Sequence, residues 1–353
     1  MSAVVGEAAP PVPAPTTPRG GRDPRWFEGM LRARELGIVL VLAAVFVITT
    51  FKNNSFSDKA SVQQLLSGAS LIALLAVGQT LVVVTRNVDL SVGSVLGLSA
   101  YVVGMFFRDH PGMPIALGFV IGIGVGLLVG AVNGVITAVA KVPSLVVTLA
   151  MLYIVRGVDA KIVNGKQIDP SSIPRSFQVV GYDDIFGVPW LTVIVVVIVL
   201  VVGYSMRSFR AGRDLYAIGS NPDAAALAGV PTGRRVFTAF VISGGLAGLG
   251  GALFLAQFAT VSAVAGNGYE LNVVAAVVVG GVAIFGGSGT VYGAALGALL
   301  LNTINQALVA ARVSAFWNQA VAGGLLLSAI TFDRWLALRV ERREAGGGAR
   351  HDG

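Results

Sequence analysis

The sequence predicts an all-α membrane protein: a polytopic bundle of about ten transmembrane helices with its N- and C-termini in the cytoplasm. Three observations carry that expectation. Only 12% of the 353 residues are charged while 55% are hydrophobic, and the mean hydropathy is +0.79, whereas a water-soluble domain carries about 25% charged residues. The apolar residues come in long continuous runs, without the alternation of membrane β-barrel strands. Lys and Arg are gathered between those runs, with an asymmetry that orients the chain.

Residues 1–34, rich in Pro, Ala and Gly, read as a disordered cytoplasmic tail. They do not read as a signal peptide, because no apolar stretch appears before Leu36 and that stretch lacks a small-residue cleavage site. A transmembrane domain is expected over 35–333, followed by a cytoplasmic C-terminal tail over 334–353. Stretches free of Asp, Glu, Lys and Arg cover 36–51, 60–85, 90–107, 111–140, 142–155, 185–206, 236–269, 271–311 and 313–332. The stretch 271–311 is too long for one crossing, and Gly286-Gly287-Ser288-Gly289-Thr290 offers a natural break, which makes ten spans. With the N-terminus inside, the cytoplasmic segments hold Arg86, Lys141, the 207–235 cluster and both terminal clusters. That is roughly a two-to-one excess of positive charge over the outer segments. Two loops are long: 159–189 on the outside and 207–235 on the inside. The other connections are short, so neighbouring helices should pack antiparallel.

Composition also excludes functions. The chain has no Cys and only His110 and His351, which leaves no ligand set for a metal centre and no thiol chemistry. No cofactor is expected. The net charge of +7 is distributed as a topology signal and does not point to nucleic acid. No paired carboxylates or nucleophile–base pair stand inside the spans, so an intramembrane enzyme is not expected. An ion-coupled secondary transporter, the main alternative, would need buried acidic residues. Of these only Asp89 and Glu270 come close, at span ends.

Four features stand out. Gly118, Gly122, Gly126, Gly130 and Gly134 recur every fourth residue and leave one helical face bare for a second backbone. Gly244/Gly248 and Gly293/Gly297 repeat the spacing. Residues 78–94 end one apolar helix in a polar cluster and restart another, with Asp89 or Ser91 able to cap it. This stretch reads as a capped inner turn, as a polar station in a pathway, or as both. In the inner loop, Asn221 or Ser220 is an N-cap, Pro222 the first helical residue and Gly229 a stop, which predicts a short Ala-rich helix. Its small side chains suit docking into a groove of another protein. Finally, Gln79, Asn133, Gln257, Asn302, Asn305, Asn318 and Gln319 place amides inside apolar runs. Amides both donate and accept, as a pathway for an uncharged hydroxylated solute requires.

These motifs carry a resemblance. Gly78-Gln79-Thr80-Leu81-Val82 through Asp89-Leu90-Ser91-Val92-Gly93-Ser94 resembles the signature of permease subunits in the ribose/xylose/arabinose branch of bacterial ATP-binding-cassette importers. The likeness continues through Val142–Leu149, the 212–229 loop, Phe285-Gly286-Gly287-Ser288-Gly289 and Phe316-Trp317-Asn318-Gln319, and covers about residues 36–333. Thr85-Arg86-Asn87-Val88-Asp89 and Trp317-Asn318 look more like the autoinducer-2 or rhamnose permeases of that branch than the ribose one. The resemblance implies a type II-importer-like fold that pairs with a second permease copy or paralogue, so that the pathway runs between the two. It implies a monosaccharide or related solute, a cytoplasmic ATP-binding subunit and an extracytoplasmic sugar-binding protein meeting 159–189 and 261–270. The chain itself has no phosphate-binding loop with the Gly-Lys-Ser/Thr ending, so it does not hydrolyse ATP. Gly212, Arg213, Asp214, Ala217, Gly219, Asn221, Ala224, Ala225 and Gly229 match the coupling loop. Gln79, Asn87, Asp89, Ser91, Asn133, Asn302, Asn305, Trp317 and Asn318 are the candidates for the pathway. Two related halves are also implied, with Ser94–Gly97 weakly matching Thr290–Gly293.

Overall fold

The structure is a computed structural model that describes residues 24–313, together with Trp317, Ala320, Val321, Gly323, Gly324, Leu327, Ser328 and Thr331. The described residues form α1 (Pro24–Lys52), α2 (Lys59–Val83), α3 (Val92–Asp109), α4 (Ile115–Ala138), α5 (Ser144–Val163) and α6 (Arg175–Tyr182). A two-residue antiparallel ribbon, β1 (Asp184–Ile185) with β2 (Val188–Pro189), leads into α7 (Trp190–Ser208). Then follow α8 (Arg210–Ser220), α9 (Pro222–Leu227), α10 (Thr232–Phe258), α11 (Tyr269–Val279) and α12 (Val291–Ala310). The all-α expectation holds.

Among the described residues, seven helices are long and apolar enough to cross a membrane: α1, α2, α3, α4, α7, α10 and α12. Two other expected spans take a different form. The 142–155 span is α5, which continues to Val163 and so draws Arg156, Asp159 and Lys161 into the helix. The outer loop expected from residue 159 therefore begins at Asn164, where a left-handed backbone ends α5. The first half of the 271–311 stretch is α11, only 11 residues long. At 1.5 Å per residue it reaches about 16 Å, half of the hydrocarbon core. The reason is local: Gly281, Gly286, Gly287 and Gly289 take left-handed backbone and keep the chain non-helical until Thr290 caps α12 by accepting from the Gly293 amide at 2.9 Å. The 236–269 span likewise stops at Phe258, with Ala259 left-handed. α1 starts upstream of its apolar run, with Pro24 at the first helical position. The 313–332 span lies largely outside the described residues; those described within it are helical.

The glycine stripe is the tightest seam. α4 and α10 meet backbone to backbone: Gly126 lies against the Gly244 carbonyl, Gly130 against Phe240 and Gly122 against Gly248. A Cβ on any of them would collide with main chain, so the contact exists because these side chains are absent. Ser99 of α3 joins the seam, its Oγ 2.7 Å from the Gly248 carbonyl and 3.2 Å from that of Gly122. α2 runs through the centre, and Leu71 to Val84 are buried almost without interruption. One face of α1 from Glu35 on, one of α7 and the outer face of α5 expose apolar side chains, among them Leu40, Ile48, Val146, Tyr153, Leu200 and Tyr204. A surface of that kind is solvated by lipid.

Connections segregate to two ends. At one end Asn53 donates to the Ala310 carbonyl (3.4 Å), Lys59 pairs with Asp184 (2.8 Å), and Ile168 bridges Val261. Lys59, then Gln63 and the Gly187 amide, hold the Asp184 carboxyl below its ordinary range. At the other end the breaks after α2 and after α11 meet α8. The two breaks are built alike. Val82 and Val277 accept from the amides of Asn87 and Val282 (3.3 and 3.1 Å), with Arg86 and Gly281 left-handed between them. Each is followed by a helix with glycine in its first turn, Gly93 in α3 and Gly293 in α12.

Candidate functional site

The α8–α9 elbow grows from simple local rules. α8 is amphipathic: Gly212, Leu215, Ile218 and Gly219 are buried, while Arg210, Arg213, Ala217 and Ser220 face outward. Asn221 breaks it with extended backbone and caps α9, its Oδ1 accepting from the Ala224 amide at 3.0 Å, with Pro222 in the first turn. Gly229 ends the elbow at φ +78°, the left-handed backbone expected of a stop. α8 itself carried no separate signal in the sequence.

The buried face of α8 touches both broken helices. Gly219 packs its bare Cα against the Val84 carbonyl oxygen and the Gly287 amide nitrogen, which are themselves bonded (Gly287 N to Val84 O, 2.9 Å). Arg86 reaches across, donating Nε to the Gly219 carbonyl at 2.6 Å and Nη2 to that of Ser220 at 2.8 Å. The Tyr216 hydroxyl donates to the Gly289 carbonyl at 2.9 Å, and burial pushes its pKa up to about 12, so it keeps that proton. Asp214 pairs with Arg235 at the foot of α10 (2.8 Å). α8 is thus tied to the chain after α2, to the break between α11 and α12, and to α10.

This divides the coupling-loop candidates into two groups. Arg213, Ala217, Asn221, Ala224 and Gly229 are exposed. Gly212, Asp214, Gly219 and Ala225 are buried and face the bundle. Gly212 is pinned against the Met206 backbone. Leu227, an apolar side chain in the last turn of α9, is 91% exposed.

The pathway candidates also separate. Asp89 is buried beside α10. Its Oδ1 accepts from the Ser91 amide (3.0 Å) and hydroxyl (2.6 Å), and its Oδ2 from Ser243 (3.3 Å). It closes a turn one step before α3 and does not itself cap the helix. Asn133 of α4 donates to the Ser91 hydroxyl at 2.9 Å. With its amide turned to satisfy both atoms, Gln79 donates to the Asp89 carbonyl (3.0 Å) and accepts from the Asp89 amide (3.2 Å). Gln79, Asp89, Ser91 and Asn133 thus form one enclosed network that ties the break to α4 and α10. Asn87 is half-buried and bonds back to Thr85. Asn302 lies elsewhere, donating to the Leu65 carbonyl (2.8 Å) between α12 and α2, with Asn305 one turn on. Trp317 is exposed, and Asn318 lies outside the described residues.

Two broken helices are clamped by an elbow at one end of a many-span bundle, an arrangement that suits a membrane transport subunit. The comparisons name the class. Residues 61–330 match the family described as branched-chain amino acid transport system / permease component. The autoinducer 2 import system permease protein LsrC of Enterobacter sp. (strain 638) is 34% identical over 318 residues, covering 90% of this chain and 92% of that one. Its counterpart in Escherichia coli O9:H4 (strain HS) is 34% identical over 312 residues (88% and 89%), and that of Yersinia pestis (strain Pestoides F) is 33% identical over 312 residues (88% and 87%). No solved structure matches. The chain belongs to this permease family: it is a multi-pass inner-membrane component of a sugar-type ATP-binding-cassette importer, and not an enzyme.

Proposed function

We propose that the chain forms, with a second copy or a paralogue, the pathway for autoinducer 2 or a monosaccharide of similar hydroxylation, driven by a cytoplasmic ATPase that docks on α8–α9. The relatives named for autoinducer 2 import support the solute class. The observation that carries the mechanism is Gly219 wedged between Val84 and Gly287, with Arg86 bonded across to Gly219 and Ser220. ATP-driven movement of a partner held on the exposed face of α8–α9, around Arg213, Ala217, Ala224 and Leu227, would shift both broken helices together. The binding protein then meets the opposite end, around 164–189 and 259–268.

The absence of Cys makes the topology directly testable. With the chain expressed without its ATPase, a single cysteine at Leu227 should resist a membrane-impermeant maleimide in intact cells and react in inverted vesicles. One at Phe186, fully exposed on the ribbon, should do the reverse. A radiolabelled uptake panel of autoinducer 2, pentoses and 6-deoxyhexoses tests the solute. Uptake should collapse on ATP depletion and survive an uncoupler, and the opposite pattern would reject ATP as the driver.

A further inference from the structure

α7, α8 and α10 enclose a groove of about 220 Å³ that neither the Gly219 clamp nor the Asp89 network uses. Leu81 of α2, Met206, Leu215 and Ala239 line it and are buried, which makes them its floor. Phe209 and Ile242 line it too but are exposed, so the groove opens outward beside them. Tyr204, edge-on to Phe209 with 6.1 Å between ring centroids, and Val201 continue that exposed apolar face along α7. The polar residues that line the groove are Ser205, Thr238 and Arg235. Both hydroxyls are used within their own helices: Ser205 donates to the Val201 carbonyl at 2.7 Å and Thr238 to that of Arg234 at 2.8 Å. Arg235 directs Nε and Nη2 to Asp214 Oδ2, at 2.9 and 2.8 Å. Its side chain stays 28% exposed, and its Nη1 has no partner among the described residues.

The ligand that fits is apolar over most of its length and anionic at one end. Carbon walls with both hydroxyls occupied give water too few partners to stay. The charge around the groove has one sign in excess: Arg207, Arg210, Arg213, Arg234 and Arg235 stand against Asp214 and Asp223 over residues 207–235. Clusters of that kind at the end of membrane-spanning helices attract anionic lipid headgroups, and a guanidinium holds phosphate through paired N–H donors. We propose that the groove binds one anionic phospholipid of the surrounding membrane, with an acyl chain on Leu81, Met206, Leu215 and Ala239 and the phosphate on the open edge of Arg235. A sugar would find a single free donor there. A partner helix, about 10 Å across, is too wide for the space. A zwitterionic lipid brings its own cation to the arginines and loses the attraction. Because Arg235 also holds Asp214, the lipid braces the joint between α8 and α10.

The proposal is independent of the solute and of the ATPase, so the full-length chain alone tests it. The chain is purified in detergent, stripped of co-purified lipid and titrated with dioleoyl phosphatidylglycerol or dioleoyl phosphatidylcholine, and binding is counted by native mass spectrometry. Phosphatidylglycerol should bind roughly tenfold more tightly than phosphatidylcholine. Arg235→Gln should bring it down to the phosphatidylcholine level, while the new amide can still donate to Asp214. Thr238→Trp, which fills the groove from an exposed position, should weaken both lipids at least tenfold. Phosphatidylglycerol with a photoreactive acyl chain should label residues 201–215 and 235–242. Equal affinity for the two lipids, unchanged binding by Thr238→Trp, or label spread over the other helices would each overturn the site. Displacement of the lipid by glycerol phosphate at equal concentration would show a site for a free anion and overturn it as well. If Arg235→Gln does not elute as a folded species on gel filtration, Thr238→Trp and the labelling map decide.

Discussion

Replacing Gly219 by alanine puts one methyl group between the Val84 carbonyl and the Gly287 amide. Both neighbours are backbone, so no rotamer relieves the overlap, and α8 must lift from the two broken helices. Lifting it breaks both Arg86 bonds, to the Gly219 carbonyl (2.6 Å) and the Ser220 carbonyl (2.8 Å). A charge-assisted bond contributes about 1.5–3 kcal/mol. The Ser220 bond is solvent-exposed and contributes least. The clamp is therefore weakened by roughly 2–4 kcal/mol, which shifts the docked population about 30- to 1,000-fold. In proteoliposomes containing the complete importer, Gly219→Ala should leave the ATPase bound and hydrolysing while solute uptake falls at least tenfold. Gly219→Ala with wild-type uptake per ATP would refute the clamp. Loss of ATPase co-purification would instead place Gly219 on the docking surface, against its burial.

Leu227→Glu should do the converse: the ATPase is lost on purification while the thermal midpoint of the isolated permease in detergent stays within about 1 °C, because the side chain touches nothing in the bundle. Gly126→Ala should force α4 from α10 and cost roughly 1–3 kcal/mol, read as a lower thermal midpoint and poorer recovery from the membrane. At Asp89, asparagine should retain more transport than alanine, since an amide oxygen still accepts from the Ser91 amide while a methyl group accepts nothing. Equal uptake by the two variants would show that the negative charge is what matters.

Much of the fold could be read from residue type and period. The four-residue glycine repeat of α4 announced a close helix contact, and Asn221-Pro222 with Gly229 announced α9, because caps and backbone permissiveness act within a few residues. Burial by a distant partner has no such local trace. Gly219 and Ala225 looked like docking residues because small side chains suit any tight contact, and nothing nearby in the chain says that the contact is Val84. The amides Gln79, Asn133 and Asn302 looked like one pathway set. Which polar group satisfies them depends on helices far away in sequence, and each found an intrachain partner.

The sequence by itself determined the apolar solvent, the helical spans and their breaks, and the family, since each follows from composition or from motifs a few residues long. Tertiary structure alone decided what the breaks do. It brought Arg86, Gly219 and Gly287 together from three separate segments, and it enclosed Asp159, read as part of an outer loop. An apolar run ends where charge begins only if that charge must face water. Asp159 is fully buried in the fold, and only the packing of α5 on α3 could reveal that.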